Sequence, residues 1–228
     1  MLYDITESGL LNEGSIVVFG DIHGRFDLLK EQLDEIAGFG AQVVFLGDYI
    51  DRGEQGVEVL QRILELTKNP ALYGFSRVTA LMGNHEHMAL LAAVTGSYVD
   101  MHQWLRNGGR IEEFPAIKND YKDWMSSLPL YYQHEKKVWY KEKVKHLVCS
   151  HASVDPTKLL GEQNPDTLIW GRTIRGFDHD TITVHGHTPV AVPQFYETTT
   201  GDVIRLDTGA WRTDNLSAAV FEEVEQKG

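Results

Sequence analysis

A chain of 228 residues can bury roughly 70% of its extended surface around one core. Its 42% apolar and 24% charged residues, with 21 Gly and 7 Pro, exclude collagen-like, low-complexity and generally disordered classes. The net charge of -12 makes a surface that repels nucleic acid polymers and anionic membranes, so an anionic substrate has to be met locally by metal or arginine. A single cysteine, Cys149, excludes an internal disulfide and a cysteine-rich zinc site and accords with a reducing compartment. With no basic, apolar leader and no apolar run of membrane-spanning length, the expectation is a cytoplasmic protein without signal peptide or span. Composition leaves the oligomeric state open, a monomer included.

Ser15–Gly20 (SIVVFG) is a β-branched run closed by glycine, and Asp27–Phe39 places Leu28, Leu29, Leu33, Ile36 and Ala37 near helical spacing, which predicts strand, loop, helix. Gln42–Gly47 (QVVFLG) repeats the strand and DYIDRG follows as a loop. Val57, Leu60, Ile63 and Leu64 then line one face of a helix ending near Lys68. A third strand, Arg77–Gly83, runs into a polar loop and an apolar helix over His87–Val94, so the first hundred residues alternate as α/β units do. Residues 97–134 read as a mainly helical insertion or cap, with no linker to mark a second domain. From Lys137 shorter β-like pieces take over: VWYKEKVKHLVCS, TITVHG, VPQFYETTT, VIRLDTGA and LSAAVFEEV. The acidic tail EEVEQKG reads as a frayed, solvated end. Hairpin-like pieces without long amphipathic helices argue for one α/β domain over residues 1–228, built on a mixed sheet or two packed sheets with helices outside.

Five polar clusters follow strand-like runs: GDIHGR (Gly20–Arg25), GDYIDRG (Gly47–Gly53), GNHE (Gly83–Glu86), CSHA (Cys149–Ala152) and HGHT (His185–Thr188). Six of the ten histidines lie in or beside them, which ordinary turn chemistry does not explain. Imidazole mixed with carboxylate suits Mn, Fe or Zn, whereas an all-oxygen shell suits Mg or Ca. Asp21, His23, Asp48, Asn84, His151 and His187 supply that mixture, and Asp48 can bridge two ions. Two ions about 3.5–4 Å apart activate water at neutral pH and clamp an in-line phosphoryl transfer.

These motifs resemble the phosphoprotein phosphatase branch of the calcineurin-like metallophosphoesterases, and in length the small bacterial and bacteriophage serine/threonine phosphatases. GDxHG, GDxVDRG, GNHE, a later strand-end His and a final GH occur in order from Gly20 to Thr188, with Ile50 in place of the usual Val and HAS in place of HGG. The resemblance implies a central β-sandwich of two mixed sheets flanked by helices, with a dinuclear site at one rim. It implies a first metal on Asp21, His23 and bridging Asp48, and a second on Asp48, Asn84, His151 and His187. The ions expected are divalent transition metals, manganese first and iron or zinc as alternatives.

Around them, Arg52 offers a guanidinium fork to phosphoryl oxygens. Arg172, in the WGR segment, resembles the second phosphate-binding arginine of the small phosphatases, although spacing alone does not separate it from Arg175 or Arg25. Asn84 also faces the phosphate. His85, beside Asn84, is left free for the leaving group, with Asp51 to orient its ring, so the pair forms a general acid. Glu86 reads as a helix N-terminal acid, His87 and His185 as supports, Cys149 as buried bulk, and Trp104, Trp124, Tyr131 and Tyr132 as core residues before groove walls. The expected activity is metal-dependent phosphomonoester hydrolysis, foremost on phosphoserine or phosphothreonine, the partner being a phosphorylated protein or small phosphoester. The alternatives are a symmetrical dinucleoside tetraphosphate hydrolase or other nucleotide phosphatase and, from another class, a non-catalytic metal-dependent phosphoprotein-binding module.

Overall fold

The computed structural model describes residues 2–4 and 11–224. In chain order its strands are β1 (Leu2–Asp4), β2 (Ser15–Phe19), β3 (Gln42–Phe45), β4 (Arg77–Ala80), β5 (Tyr131–Tyr140), β6 (Lys143–Ser150), β7 (Thr181–His185), β8 (Gln194–Thr198), β9 (Gly201–Arg205) and β10 (Ala218–Glu222). They form two mixed sheets, ordered β1-β10-β2-β3-β4 and β5-β6-β7-β9-β8. Within the first, β2, β3 and β4 run parallel, and within the second, β6, β7 and β9 do. Parallel neighbours deliver their C-terminal ends to the same edge of a sheet. The five polar clusters all follow such ends.

The apolar runs are continuous because the inner strands are covered on both faces. Ile16, Val18, Val44 and Leu46 pack between the sheets with Leu147, Cys149, Ile182, Val184 and Ile204. Val17, Phe19, Val43 and Phe45, pointing the other way, pack under α1 (Phe26–Ile36) and α2 (Gly56–Lys68) through Leu29, Leu33, Val59, Leu60 and Ile63. The chain is thus a sandwich flanked by helices, as the motifs imply.

Several boundaries differ from the sequence reading. The third helix, α3, spans Asn84–Thr95, so GNHE is its first turn and not a preceding loop. Gly83 caps it, and the Glu86 side chain returns to the Gly83 N–H at 3.1 Å, a pattern a polar tetrapeptide conceals unless read as a capping box. In the insertion, α4 (Tyr98–Arg106) is followed by helical turns over Phe114–Ser126, but Tyr131–His134, expected within it, begin β5. Cross-strand pairing with β6 decides that segment. The β5–β6 turn places Lys141 and Glu142 at φ 46° and 61°, a two-residue hairpin without the usual glycine. Of the acidic tail, Glu222 ends β10, and Glu223 pairs with His134 at 2.9 Å, with Lys136, and with the Gln42 amide, so it is not a frayed end; residues 225–228 lie outside the described residues. No helix among the described residues is long and apolar enough to cross a membrane.

Candidate metal centre and active site

Each cluster residue enters from a strand end through a tight loop. Among described non-glycine residues, positive φ occurs at His23 (46°), Asp48 (55°), Asp51 (71°), Arg52 (65°) and His187 (62°), and otherwise at turn residues Lys141, Glu142 and Asp214. Such conformations cost about 1–3 kcal/mol each and persist only where surrounding bonds hold them. The holding bonds are visible. His23 N–H donates to Asp48 O at 2.8 Å, Gly24 N–H to Tyr49 O at 2.8 Å, and Gly53 N–H to His23 O at 3.1 Å. Gly47, at φ 109°, lets the second and third loops touch, since a Cβ there would stand 2.5 Å from Gly83 N.

Glu86 clamps the second loop. Its fully buried carboxylate accepts N–H bonds from Asp48 (2.7 Å), Tyr49 (2.8 Å), Ile50 (3.3 Å) and Gly83 (3.1 Å). The helix-terminal reading therefore understates it. Glu86→Gln replaces one acceptor oxygen by a donor facing buried N–H groups, and is expected to cost about 2–4 kcal/mol in a denaturant titration. A loss under about 0.5 kcal/mol, the scale of an ordinary surface substitution, would leave Glu86 as a simple cap.

Two donor sets converge on Asp48. Oδ2 lies 3.4 Å from His23 Nε2, and Oδ1 lies 3.4 Å from His151 Nε2. Asn84 Oδ1 is 2.9 Å from His151 Nε2 and 2.8 Å from His187 Nδ1. Ligands bound to one transition-metal ion at about 2.0–2.2 Å stand about 3 Å apart, the spacing found here. Backbone carbonyls assign the tautomers: His23 Nδ1–H donates to Ile50 O at 2.9 Å and His151 Nδ1–H to Leu46 O at 3.0 Å, which leaves each Nε2 lone pair facing Asp48. His23 Nε2 is buried without a hydrogen-bond partner. Burial holds His23, His151 and His187 below their usual range, His187 at about 3, so the rings are neutral.

Asp21 borders this convergence, close enough to Asp48 for the two carboxyl groups to repel. Its oxygens accept the His187 N–H at 3.1 and 3.0 Å; among the described residues, the His and carboxylate groups that converge within one ion's reach are His23, Asp48 and His85, and Asp48, His151 and His187. Burial, Asp207 and Asp48 raise the Asp21 carboxyl well above the usual range. Asp207, two residues beyond β9, is 1% exposed with Oδ2 unpartnered, and burial raises it to about 6. Sequence reasoning missed it, though LDTG repeats the strand-end Asp-and-Gly pattern of the other clusters. Asp21 and Asp207, both acted on by Arg52, join Asp48 in a buried cluster of carboxyl groups that calls for added cations, and the neutral imidazoles fit transition metals.

The remaining residues form a second group. His85 Nδ1 lies 2.6 Å from Asp51 Oδ2, and His85 Nε2 lies 3.2 Å from Arg52 Nη2. Burial alone would lower His85, but Asp48 and Asp51 carry it above its usual value. Arg52 rests 5.7 Å from the centroid of Trp211, which is 40% exposed. Arg172 is exposed, and its charge helps depress His187. Arg25 is engaged by Asp27, Asp214 and the Ala210 carbonyl, which removes it from competition with Arg172. His185 is buried, with Nδ1 3.0 Å from Ser150 Oγ; Cys149 is core, as are Trp104 and Tyr132, while Trp124 and Tyr131 pack against it.

The chain matches the family model described as calcineurin-like phosphoesterase over residues 14–218. It is 26% identical over 245 residues to the bis(5'-nucleosyl)-tetraphosphatase PrpE [asymmetrical] of Halalkalibacterium halodurans, covering 91% of this chain and 90% of that protein. It is 29% identical over 208 residues to serine/threonine-protein phosphatase 1 of Salmonella typhimurium, covering 85% of each. A crystal structure of a cold-active protein tyrosine phosphatase superposes at a TM-score of 0.59 and 17% identity, over 96% of this chain and 75% of that one, a likeness of fold.

Proposed function

The chain belongs to the calcineurin-like phosphoesterase family, and from that membership we infer that it is a hydrolase of phosphomonoesters whose substrate class is phosphoserine and phosphothreonine in proteins. The observation that carries this reading is the His85–Asp51 pair at 2.6 Å beside the Arg52 fork. An alkoxide departs poorly unless protonated, whereas a phosphoanhydride leaving group needs little proton donation, so a built acid suits an alkyl ester.

Asp21, His23 and Asp48 would hold one divalent ion and Asp48, Asn84, His151 and His187 a second, with manganese the first choice for the mixed donors. Bound there, the ions supply an activated water and neutralise phosphoryl charge. The protein residues do the rest. Arg52 binds two phosphoryl oxygens, Asn84 borders the same phosphate, and Arg172 reaches it from the exposed rim. His85 Nε2 delivers the proton to the leaving oxygen, and Asp51 stays ionised to orient the ring.

Arg52→Ala is expected to weaken phosphate and vanadate inhibition about 10- to 100-fold, raise KM and lower kcat, with Lys rescuing only in part. Unchanged inhibition constants would mark Arg52 as a structural partner of neighbouring groups.

A second reading, hydrolysis of dinucleoside polyphosphates, draws on Trp211, an exposed ring against Arg52 on which a base can stack. The tetraphosphatase relative is named for an asymmetrical rather than a symmetrical cleavage. Parallel assays with Mn²⁺ on a phosphoserine peptide and on diadenosine tetraphosphate decide between them. Faster turnover of the peptide is expected; faster turnover of the dinucleotide, lost in Trp211→Ala, would transfer the assignment. Neither phosphate from the peptide nor mononucleotides from the dinucleotide above a metal-free blank would favour the binding module.

A further inference from the structure

We infer that Trp104 is a positioning residue for the acid pair, and that the segment from Trp104 to Glu113 sets both the acid and the phosphate arginine; this rests on the reading of His85 as proton donor. Trp104 lies on α4, remote in sequence from every ligand cluster, and is 0% exposed. Its indole N–H is shared between the two oxygens of Asp51, each at 2.9 Å. Asp51 Oδ2 receives His85 Nδ1–H at 2.6 Å. Donors arriving from two different helices leave that carboxylate one orientation. The ring it holds therefore keeps Nε2 toward Arg52, where the phosphoryl group and its leaving oxygen meet.

A buried indole N–H needs an acceptor, and most acceptors in a core are backbone carbonyls. Here the acceptor is the carboxylate of the acid pair, so the insertion is wired to the chemistry and not only packed against it. The turn after α4 continues the grip. Gly108 O accepts the Arg52 N–H at 3.1 Å, and Glu113 accepts the N–H groups of Asp51 at 3.4 Å and Gly56 at 3.2 Å. A Cβ at Gly109 would stand 2.6 Å from the Trp104 ring, so the turn closes over the indole only because that position carries no side chain. Asp51 and Arg52 are consecutive left-handed residues, and this segment supplies bonds to both of their N–H groups.

The first test needs no turnover. In protein labelled with ¹⁵N-tryptophan, Asp51→Asn should shift one indole N–H resonance, the one missing from Trp104→Phe; if none of the five indole resonances moves, the inference is overturned even if Trp104→Phe fails to fold. The second test is kinetic, at matched metal content. Trp104→Phe should lower kcat on an alkyl phosphate ester about 10- to 100-fold and on p-nitrophenyl phosphate by less, with KM little changed. In the His85→Asn background it should no longer alter the ratio of the two esters. Equal losses on both esters, or a ratio still altered without His85, overturn the positioning role. If wild type and His85→Asn do not differ on the alkyl ester, the acid reading itself falls; if they differ and Trp104→Phe changes nothing, only the Trp104 inference does.

Discussion

Asp48→Asn is expected to leave the protein unable to retain either metal ion at ordinary micromolar concentrations. Its two carboxylate oxygens face different imidazoles, Oδ2 toward His23 at 3.4 Å and Oδ1 toward His151 at 3.4 Å, so a single substitution removes a ligand from both sets. An amide presents one neutral oxygen, and its NH₂ would point at a neutral ring nitrogen or at an ion. Elemental analysis after gel filtration should find about two equivalents per wild-type chain and well under one in Asp48→Asn. Asp21→Asn should mainly empty the first position. Since a ligand that binds only the folded state stabilises it by mass action, a chelator should lower the melting temperature of wild type and scarcely move that of Asp48→Asn. Two tightly held ions in Asp48→Asn would remove the bridge.

His85→Asn is expected to cost roughly 10²- to 10⁴-fold in kcat on an alkyl phosphoserine substrate while leaving metal content intact. The imidazole Nε2 sits 3.2 Å from Arg52 Nη2 and 3.9 Å from Asp48 Oδ2, beside both ion sets, while Nδ1 is committed to Asp51. On the proposed assignment the substitution deletes the proton donor and spares Asn84. On p-nitrophenyl phosphate the loss should be smaller, because that phenolate leaves without full protonation. Asp51→Asn should show the same bias more mildly, since it orients the donor and transfers no proton. A plot of log kcat against leaving-group pKa decides: a steeper dependence in His85→Asn is expected, and parallel lines at full metal content would leave His85 as a residue that orients the substrate.

Much of the site was legible as sequence because its chemistry is local. Asp21 and His23 share one loop, Asp48, Asp51 and Arg52 another, and each follows an apolar run whose length and β-branching mark a strand. A mixed sheet or two packed sheets were legible for the same reason, from runs too short and too closely spaced to alternate with long helices; the choice of two sheets came from the resemblance the motifs carry. Asp207 escaped because LDTG carries no histidine, although its placement after β9 matches the rest.

What tertiary structure alone decided are the contacts between segments far apart in the chain. No spacing rule joins Trp104 to Asp51 across 53 residues, or Asp21 to the His187 N–H across 166. Glu86 looked like an ordinary helix-start acid, and only the folded second loop brings Asp48, Tyr49 and Ile50 to its oxygens. The residue types and their strand-end positions were determined by the sequence itself, since apolar periodicity and turn chemistry act over a few residues. Which oxygen faces which ring, which arginine is already engaged and what holds the left-handed loops were decided by packing, because hydrogen bonds and burial depend on distance in space and not along the chain.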